Sequence, residues 1–219
     1  MPTYKTVLFD WDGTLAQTLT VWLTAYREAF REFKITGLSD SYIAKEIFGA
    51  WENPLKAGIV QKDLDKYNER LVELVNMQLN SVALYPGVVE CLQKLINNDV
   101  KLGIVSTSYR QSINIVLERE NIASLFSAIV TTESVSKQKP HPESVYIALE
   151  QLQGDRNSTL VVGDNLKDMQ LAQNAEVASC LFFPPEHTLY YDRAIMEENS
   201  NPTLLVESFY ELVEKLVEE

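Results

Sequence analysis

Four aspartates, one lysine and a run of hydroxyls are placed where chemistry is done. Asp10 and Asp12 flank Trp11 and lead into Gly13; Ser106 and Thr107 follow Ile104-Val105; Lys139 opens the run Lys139-Pro140-His141-Pro142; Asp164 and Asp168 follow Val162-Gly163. Asp164 and Asp168 are four residues apart, so at the start of a helix both carboxylates share one face. Four carboxylates brought into a small cleft raise one another's pKa values unless a cation is present. A hard, oxygen-rich site of this kind suits Mg²⁺, with water and substrate oxygens completing the octahedron.

These residues can meet only if the chain folds as an open α/β sheet, where ligands bind beyond the carboxyl ends of the strands. The apolar runs support such a sheet. Tyr4–Phe9, Val100–Val105, Ala128–Val130, Thr159–Val162 and Ser179–Phe183 read as strands, the last being the final one. Helical spacing separates them: a helix beginning at Pro86-Gly87, then Gln111–Glu120, Pro142–Leu152 and Lys167–Asn174. Thr203–Val217 reads as an amphipathic terminal helix, and Glu186–Pro202 as a surface loop with some helix. Strands that are apolar throughout, alternating with helices, imply a parallel sheet covered on both faces.

The segment from 16 to 84 differs. Val21–Phe33 and Lys62–Leu79 have helical spacing, with a looser stretch around Gly49–Pro54 and no convincing strand. The expected architecture is therefore a Rossmann-like α/β core of residues 1–15 and 85–219, with a helical insertion, 16–84, after the first strand.

Composition narrows the setting. The 219 residues are 46% hydrophobic and 23% charged, as in a globular protein with a real core. The net charge of −12 opposes binding to nucleic acid and to anionic membrane, and it obliges any phosphate site to carry local positive groups. The two cysteines, Cys91 and Cys180, lie in apolar runs and read as reduced core thiols. The start MPTYKTVLFDWDG has no signal-peptide pattern, and no apolar run is long enough to span a membrane. A cytoplasmic setting is expected, as a monomer or a homodimer. His141 and His187 read as structural or surface residues rather than ligands.

The chain resembles the haloacid dehalogenase superfamily of phosphohydrolases. The resemblance rests on Asp10-Trp11-Asp12-Gly13-Thr14-Leu15, Ile104-Val105-Ser106, Lys139-Pro140-His141-Pro142-Glu143 and Gly163-Asp164-Asn165-Leu166-Lys167-Asp168, in that order and spacing, with Tyr85-Pro86-Gly87-Val88 before the second core strand. It implies roles. Asp10 is the nucleophile and a Mg²⁺ ligand. Asp12 protonates the leaving oxygen and then activates water, and its backbone carbonyl touches the metal. Ser106 hydrogen-bonds a phosphoryl oxygen, and Lys139 holds the phosphate and balances the carboxylates. Asp164 binds Mg²⁺ directly; Asp168 binds it directly or through water. Trp11 and Thr107, beside motif residues, are expected to touch substrate. Thr107, Ala16-Gln17-Thr18 and Glu176 depart from the family's common pattern without removing a catalytic group.

Within the superfamily, Asp12 argues against carbon–halogen and carbon–phosphorus cleavage, which do not use an acid at that position. A sugar phosphomutase keeps both aspartates, but its insertion carries an Arg/Ser-rich grip for a second phosphate, and Gly49–Leu55 has no arginine. The expectation is hydrolysis of a small phosphorylated metabolite through an aspartyl-phosphate. A non-catalytic module on the same fold is the alternative from another class, disfavoured by the retained Asp10, Asp12, Lys139 and Asp164. The insertion looks like the cap of the phosphoglycolate-phosphatase-like branch, with Trp51, Asn53 and Lys56 at its lip to read the leaving group; Trp51 has cap core as its alternative.

Overall fold

The computed structural model describes residues 4–48 and 50–217. Six parallel strands form one sheet in the order β3-β2-β1-β4-β5-β6. They are β1 (Thr6–Phe9), β2 (Lys101–Val105), β3 (Ala128–Val130), β4 (Thr159–Gly163), β5 (Ala178–Phe182) and β6 (Leu204–Val206). β1 lies centrally, with Phe9 opposite Ile104 on one side and Val162 on the other. The strand order reverses on either side of β1, which opens a crevice beyond the carboxyl ends of β1, β2 and β4.

Side chains alternate between the two faces, as the period of a strand requires. Val7 and Phe9 join the larger core cluster, while Leu8 joins a second one with Val145, Ala148, Val161 and Leu171. α4 (Val88–Asn97), α5 (Arg110–Arg119) and α9 (Phe209–Val217) contribute to the first cluster; α6 (Glu143–Leu152) and α7 (Leu166–Ala175) contribute to the second. Both faces are therefore covered, which explains why the strands are apolar without interruption.

Between β1 and α4 the chain is helical: α1 (Leu19–Glu32), α2 (Asp40–Tyr42) running into a π-helical turn at Ile43–Ile47, short 3₁₀ turns, and α3 (Leu64–Asn76). α1 and α3 pack through Phe30 on Tyr67, ring centroids 5.0 Å apart. The chain leaves and re-enters this segment through adjacent strands of backbone. The Gln17 N–H donates to Ala83 O at 2.9 Å, and the Tyr85 N–H donates to Leu15 O at 3.0 Å.

The C-terminal region corrects the sequence reading at one point. Leu204–Val206 is a sixth strand rather than the start of the terminal helix, which begins at Phe209. Leu204 and Leu205 satisfy the helical period of the residues after them, but pairing with β5 along Cys180–Phe182 decides their conformation. The polar stretch before it carries a 3₁₀ turn, Pro185–Leu189, and α8 (Arg193–Ser200), capped by the Asp192 carboxylate accepting from Ile195 N.

His187, in that 3₁₀ turn, is fully buried. Its Nε2 lies 2.8 Å from the Tyr85 hydroxyl, and its Nδ1 has no hydrogen-bond partner among the described residues. Burial lowers its pKa from 6.5 to about 4. Between those values the unfolded chain binds the proton and the folded chain does not, so stability falls as pH drops through this window. At pH 4.5 the loss attributable to this ring is about 2–3 kcal/mol. Chemical denaturation of wild type and His187→Gln at pH 7 and pH 4.5 checks it. The variant loses less stability between the two pH values, and equal losses would remove the buried histidine as the cause.

Candidate active site

Asp10 is the first residue past β1, and its N–H donates to Val162 O of β4 at 2.8 Å. This bond carries the sheet's pairing one residue further and fixes the carboxylate at the crevice. The chain then turns at Gly13, with φ of +75°. A Cβ there would lie 2.3 Å from Asp164 Oδ2, so the close approach of the two loops requires glycine in space as well as in conformation. Asp164 follows β4 directly. Asn165 caps α7, and the Asp168 carboxylate in the first turn accepts from the Asn165 N–H at 3.3 Å, which is a capping box. The same local rule that starts the helix therefore aims Asp168 back at the sheet edge.

One oxygen from each of Asp10, Asp164 and Asp168 lies within 4.8 Å of the others, and all three residues are buried. Lys139 Nζ stands between two of them, donating to Asp10 Oδ1 and to Asp168 Oδ1, each at 2.6 Å. Asp164 Oδ1 accepts from Asn165 Nδ2 at 2.9 Å, while its buried Oδ2 has no hydrogen-bond partner among the described residues. Burial, followed by the charge of Asp168, raises the pKa of Asp10 to about 8 against the opposing pull of Lys139. Burial, then Asp168 and Asp10, raise Asp164 well above the usual carboxylate range. Burial opposes the Lys139 ammonium, but the combined charge and hydrogen bonds of Asp10 and Asp168 outweigh it and raise its pKa. One lysine does not balance three buried carboxylates. An unsatisfied carboxylate oxygen among hard oxygen donors fits a divalent cation such as Mg²⁺.

Asp12 is set apart from this group. Trp22 Nε1, on α1, donates to its Oδ1 at 2.6 Å, and Ser108 Oγ donates to its Oδ2 at 2.5 Å. Ser106 is buried, its Oγ accepting from the Ser108 N–H at 3.0 Å. Neither Trp22 nor Ser108 was evident from spacing. The hydroxyl run Ser106-Thr107-Ser108 carried a signal for Ser108; nothing local marked Trp22, because its partner is reached only through the fold.

A cavity of about 480 Å³ opens over Asp10, Asp12, Lys139 and Asp168. Thr107 and Trp51 line it. Three other residues expected at substrate do not. Trp11 is fully buried in the apolar core. Asn53 is buried, and its amide donates to Ile47 O at 3.1 Å and Phe48 O at 3.4 Å, holding the chain turn. Lys56 is exposed and donates to Glu46 O at 3.3 Å. Spacing along a short 3₁₀ turn did not reveal which side of it faces the cavity. Tyr191, Ile195 and Met196 also line it, from a region that sequence alone reads as surface loop with some helix.

This site on this sheet defines a class, and comparison with known proteins agrees. The chain belongs to the haloacid dehalogenase-like hydrolases, whose family model matches residues 7–182. Pyrophosphatase PpaX of Oceanobacillus iheyensis is 33% identical over 177 residues, 79% of this chain and 80% of the relative. Among solved structures, a predicted phosphoglycolate phosphatase from Haemophilus somnus superposes with a TM-score of 0.83 at 22% identity, covering 98% of each chain. CbbY from Rhodobacter sphaeroides, solved in complex with phosphate, gives 0.80 at 19% identity, covering 95% of this chain and 96% of the other. At these identities the two structures speak to the fold, and the fold is the same. The protein is thus an enzyme of the phosphatase-containing hydrolase family. Among the described residues no helix is long and apolar enough to cross a membrane.

Proposed function

We propose that the protein is a Mg²⁺-dependent phosphatase that hydrolyses a small phosphate monoester through an aspartyl-phosphate on Asp10. The observation that carries this reading is the division of labour between two aspartates on one cavity: Asp10 beside Lys139 in the carboxylate group, and Asp12 apart from it, held on both oxygens by neutral donors.

Asp10 attacks phosphorus, and the ester oxygen departs with a proton from Asp12. Water then attacks the acyl phosphate as Asp12 takes a proton from it, and inorganic phosphate leaves. Lys139 favours the ionised form of Asp10 against burial and Asp168, and would meet the transferring group beside it. The Ser108 and Trp22 hydrogen bonds orient the Asp12 carboxyl toward the leaving oxygen. Ser106 serves that strand end by fixing Ser108 through its N–H. Asp10, Asp164 and Asp168 would hold the Mg²⁺, together with the Asp12 carbonyl, and the ion would neutralise charge on the phosphoryl oxygens.

We assign residues 16–84 to a cap over a core of 1–15 and 85–219. The paired backbone segments at Gln17 and Ala83 form its base, and Trp22 reaches from it to Asp12. A cap of this kind excludes water while the acyl phosphate exists. The relative named pyrophosphatase offers a P–O–P bond as an alternative to P–O–C, and the same displacement serves both. Phosphate release from a panel of small phosphate esters and pyrophosphate, assayed with Mg²⁺, tests the reading. Transfer of phosphate between sugar hydroxyls without release would make the protein a mutase, and no turnover of any compound would refute catalysis.

A further inference from the structure

The cavity carries a statement about the leaving group, which rests on the phosphatase reading above. If Asp12 protonates the leaving oxygen, the body of the alcohol begins at Asp12. The first side chain it meets there is Trp22, whose Nε1 is 2.6 Å from the carboxylate. Trp22 is one member of an aromatic array. Its ring meets Trp51 edge to face with centroids 6.1 Å apart, and Trp51 meets Tyr109 at 5.3 Å. On its other side Trp22 lies 6.0 Å from Tyr26, which stacks on Phe48 at 5.3 Å. Ile195 and Met196 also line the cavity, and Ile195 leaves about half its surface, 51%, uncovered.

Cations are sparse on this side. None of the described lining residues is an arginine. Lys139 is engaged by Asp10 and Asp168. Lys45 is exposed; Lys167 is partly buried, and burial, with the nearby charge of Lys56, lowers its pKa against the pull of Glu52 and Asp168. Neither offers the bidentate fork with which an arginine grips a phosphate or a carboxylate. Pyrophosphate or a short acidic alcohol would leave the aromatic wall bare, whereas a flat ring would cover it in offset or edge-on contact.

We propose that the enzyme prefers phosphate esters of primary alcohols that carry a flat aromatic ring and no second anionic group. Trp51 is the residue that reads the ring, since Trp22 also serves Asp12.

The test compares kcat/KM for 2-phenylethyl, 2-cyclohexylethyl and ethyl phosphate, whose leaving groups are all simple primary alcohols, and for 2-phosphoglycolate and pyrophosphate. The phenylethyl ester should exceed ethyl phosphate by about tenfold or more, the scale on which apolar pockets discriminate, and should exceed the cyclohexyl ester as well. Trp51→Ala should bring the phenylethyl-to-ethyl ratio toward one, and Trp51→Phe should retain most of it. Preference for pyrophosphate or phosphoglycolate, or a ratio unchanged in Trp51→Ala, overturns the proposal. Calorimetric binding of the same esters to Asp10→Asn in the presence of Mg²⁺ gives a readout without chemistry. If no ester is turned over, the phosphatase reading fails by itself; the ring preference then stands or falls on whether phenylethyl phosphate binds more tightly than ethyl phosphate.

Discussion

Replacing Asp10 by Asn is expected to lower kcat by about 10⁴-fold or more while leaving the fold intact. The amide keeps the shape of the carboxyl group and still accepts from Lys139, so the loss is chemical. An amide oxygen is a poor nucleophile toward phosphorus, and no second nucleophile is available within the carboxylate group: Asp168 is committed to Lys139 and its own helix cap, and Asp164 lies across the loop contact with Gly13. Folding should not suffer. Asp10 is a buried carboxylate whose pKa is raised by burial and by Asp168, so the metal-free fold carries it at a cost, and Asn removes that cost. Two measurements separate chemistry from structure. Thermal unfolding of metal-free Asp10→Asn should occur at or above the wild-type temperature. Beryllium fluoride with Mg²⁺ should raise the melting temperature of wild type by forming an acyl-phosphate mimic on Asp10, and should leave the variant unmoved. Turnover like wild type in Asp10→Asn would eliminate the aspartyl-phosphate route.

Much of this site could be read before any coordinates, for a physical reason. Chemistry at the edge of a parallel sheet comes from residues immediately after strands, and short apolar runs mark where strands end. The positions of Asp10 and Asp164 were legible for that reason, and that of Asp168 because helix periodicity ties it to Asp164. What escaped depends on contacts distant in sequence. Trp22 meets Asp12 only because α1 leans on the sheet edge, and Tyr191 and Met196 reach the cavity only because α8 packs beside α7. The same limit explains Trp11, Asn53 and Lys56. Each has a residue type suited to substrate, and each is turned elsewhere by packing or by a backbone carbonyl. β6 was missed because three residues carry too little pattern to oppose a helical period, and only the edge of β5 decides them.

Withdrawing the divalent cation should abolish activity completely, Mg²⁺ should restore it, and Ca²⁺ should inhibit, because its larger and looser coordination spoils in-line geometry. The argument is electrostatic. Asp10, Asp164 and Asp168 converge within 4.8 Å, Lys139 bridges Asp10 and Asp168, and the buried Asp164 Oδ2 has no hydrogen-bond partner among the described residues. Without a cation, burial and mutual repulsion hold Asp10 at a pKa of about 8 and Asp164 well above its ordinary value. A carboxyl whose folded pKa exceeds its unfolded value binds more protons when folded, so the metal-free fold loses stability as pH rises from about 4 toward 8. Mg²⁺ needs the ionised carboxylates, so protons compete with it and its binding strengthens over the same range. Saturating Mg²⁺ should therefore raise the melting temperature, by about 3 kcal/mol of stability at a hundredfold excess over Kd, and the gain should be larger at pH 8 than at pH 6. Asp164→Asn should weaken this effect because it removes the charge of the residue with the unpartnered oxygen. Calorimetric scans at the two pH values, with EDTA and with Mg²⁺, measure it beside phosphate release. Full activity after exhaustive chelation, or a Mg²⁺ effect independent of pH, would mean that the three carboxylates do not form the metal site.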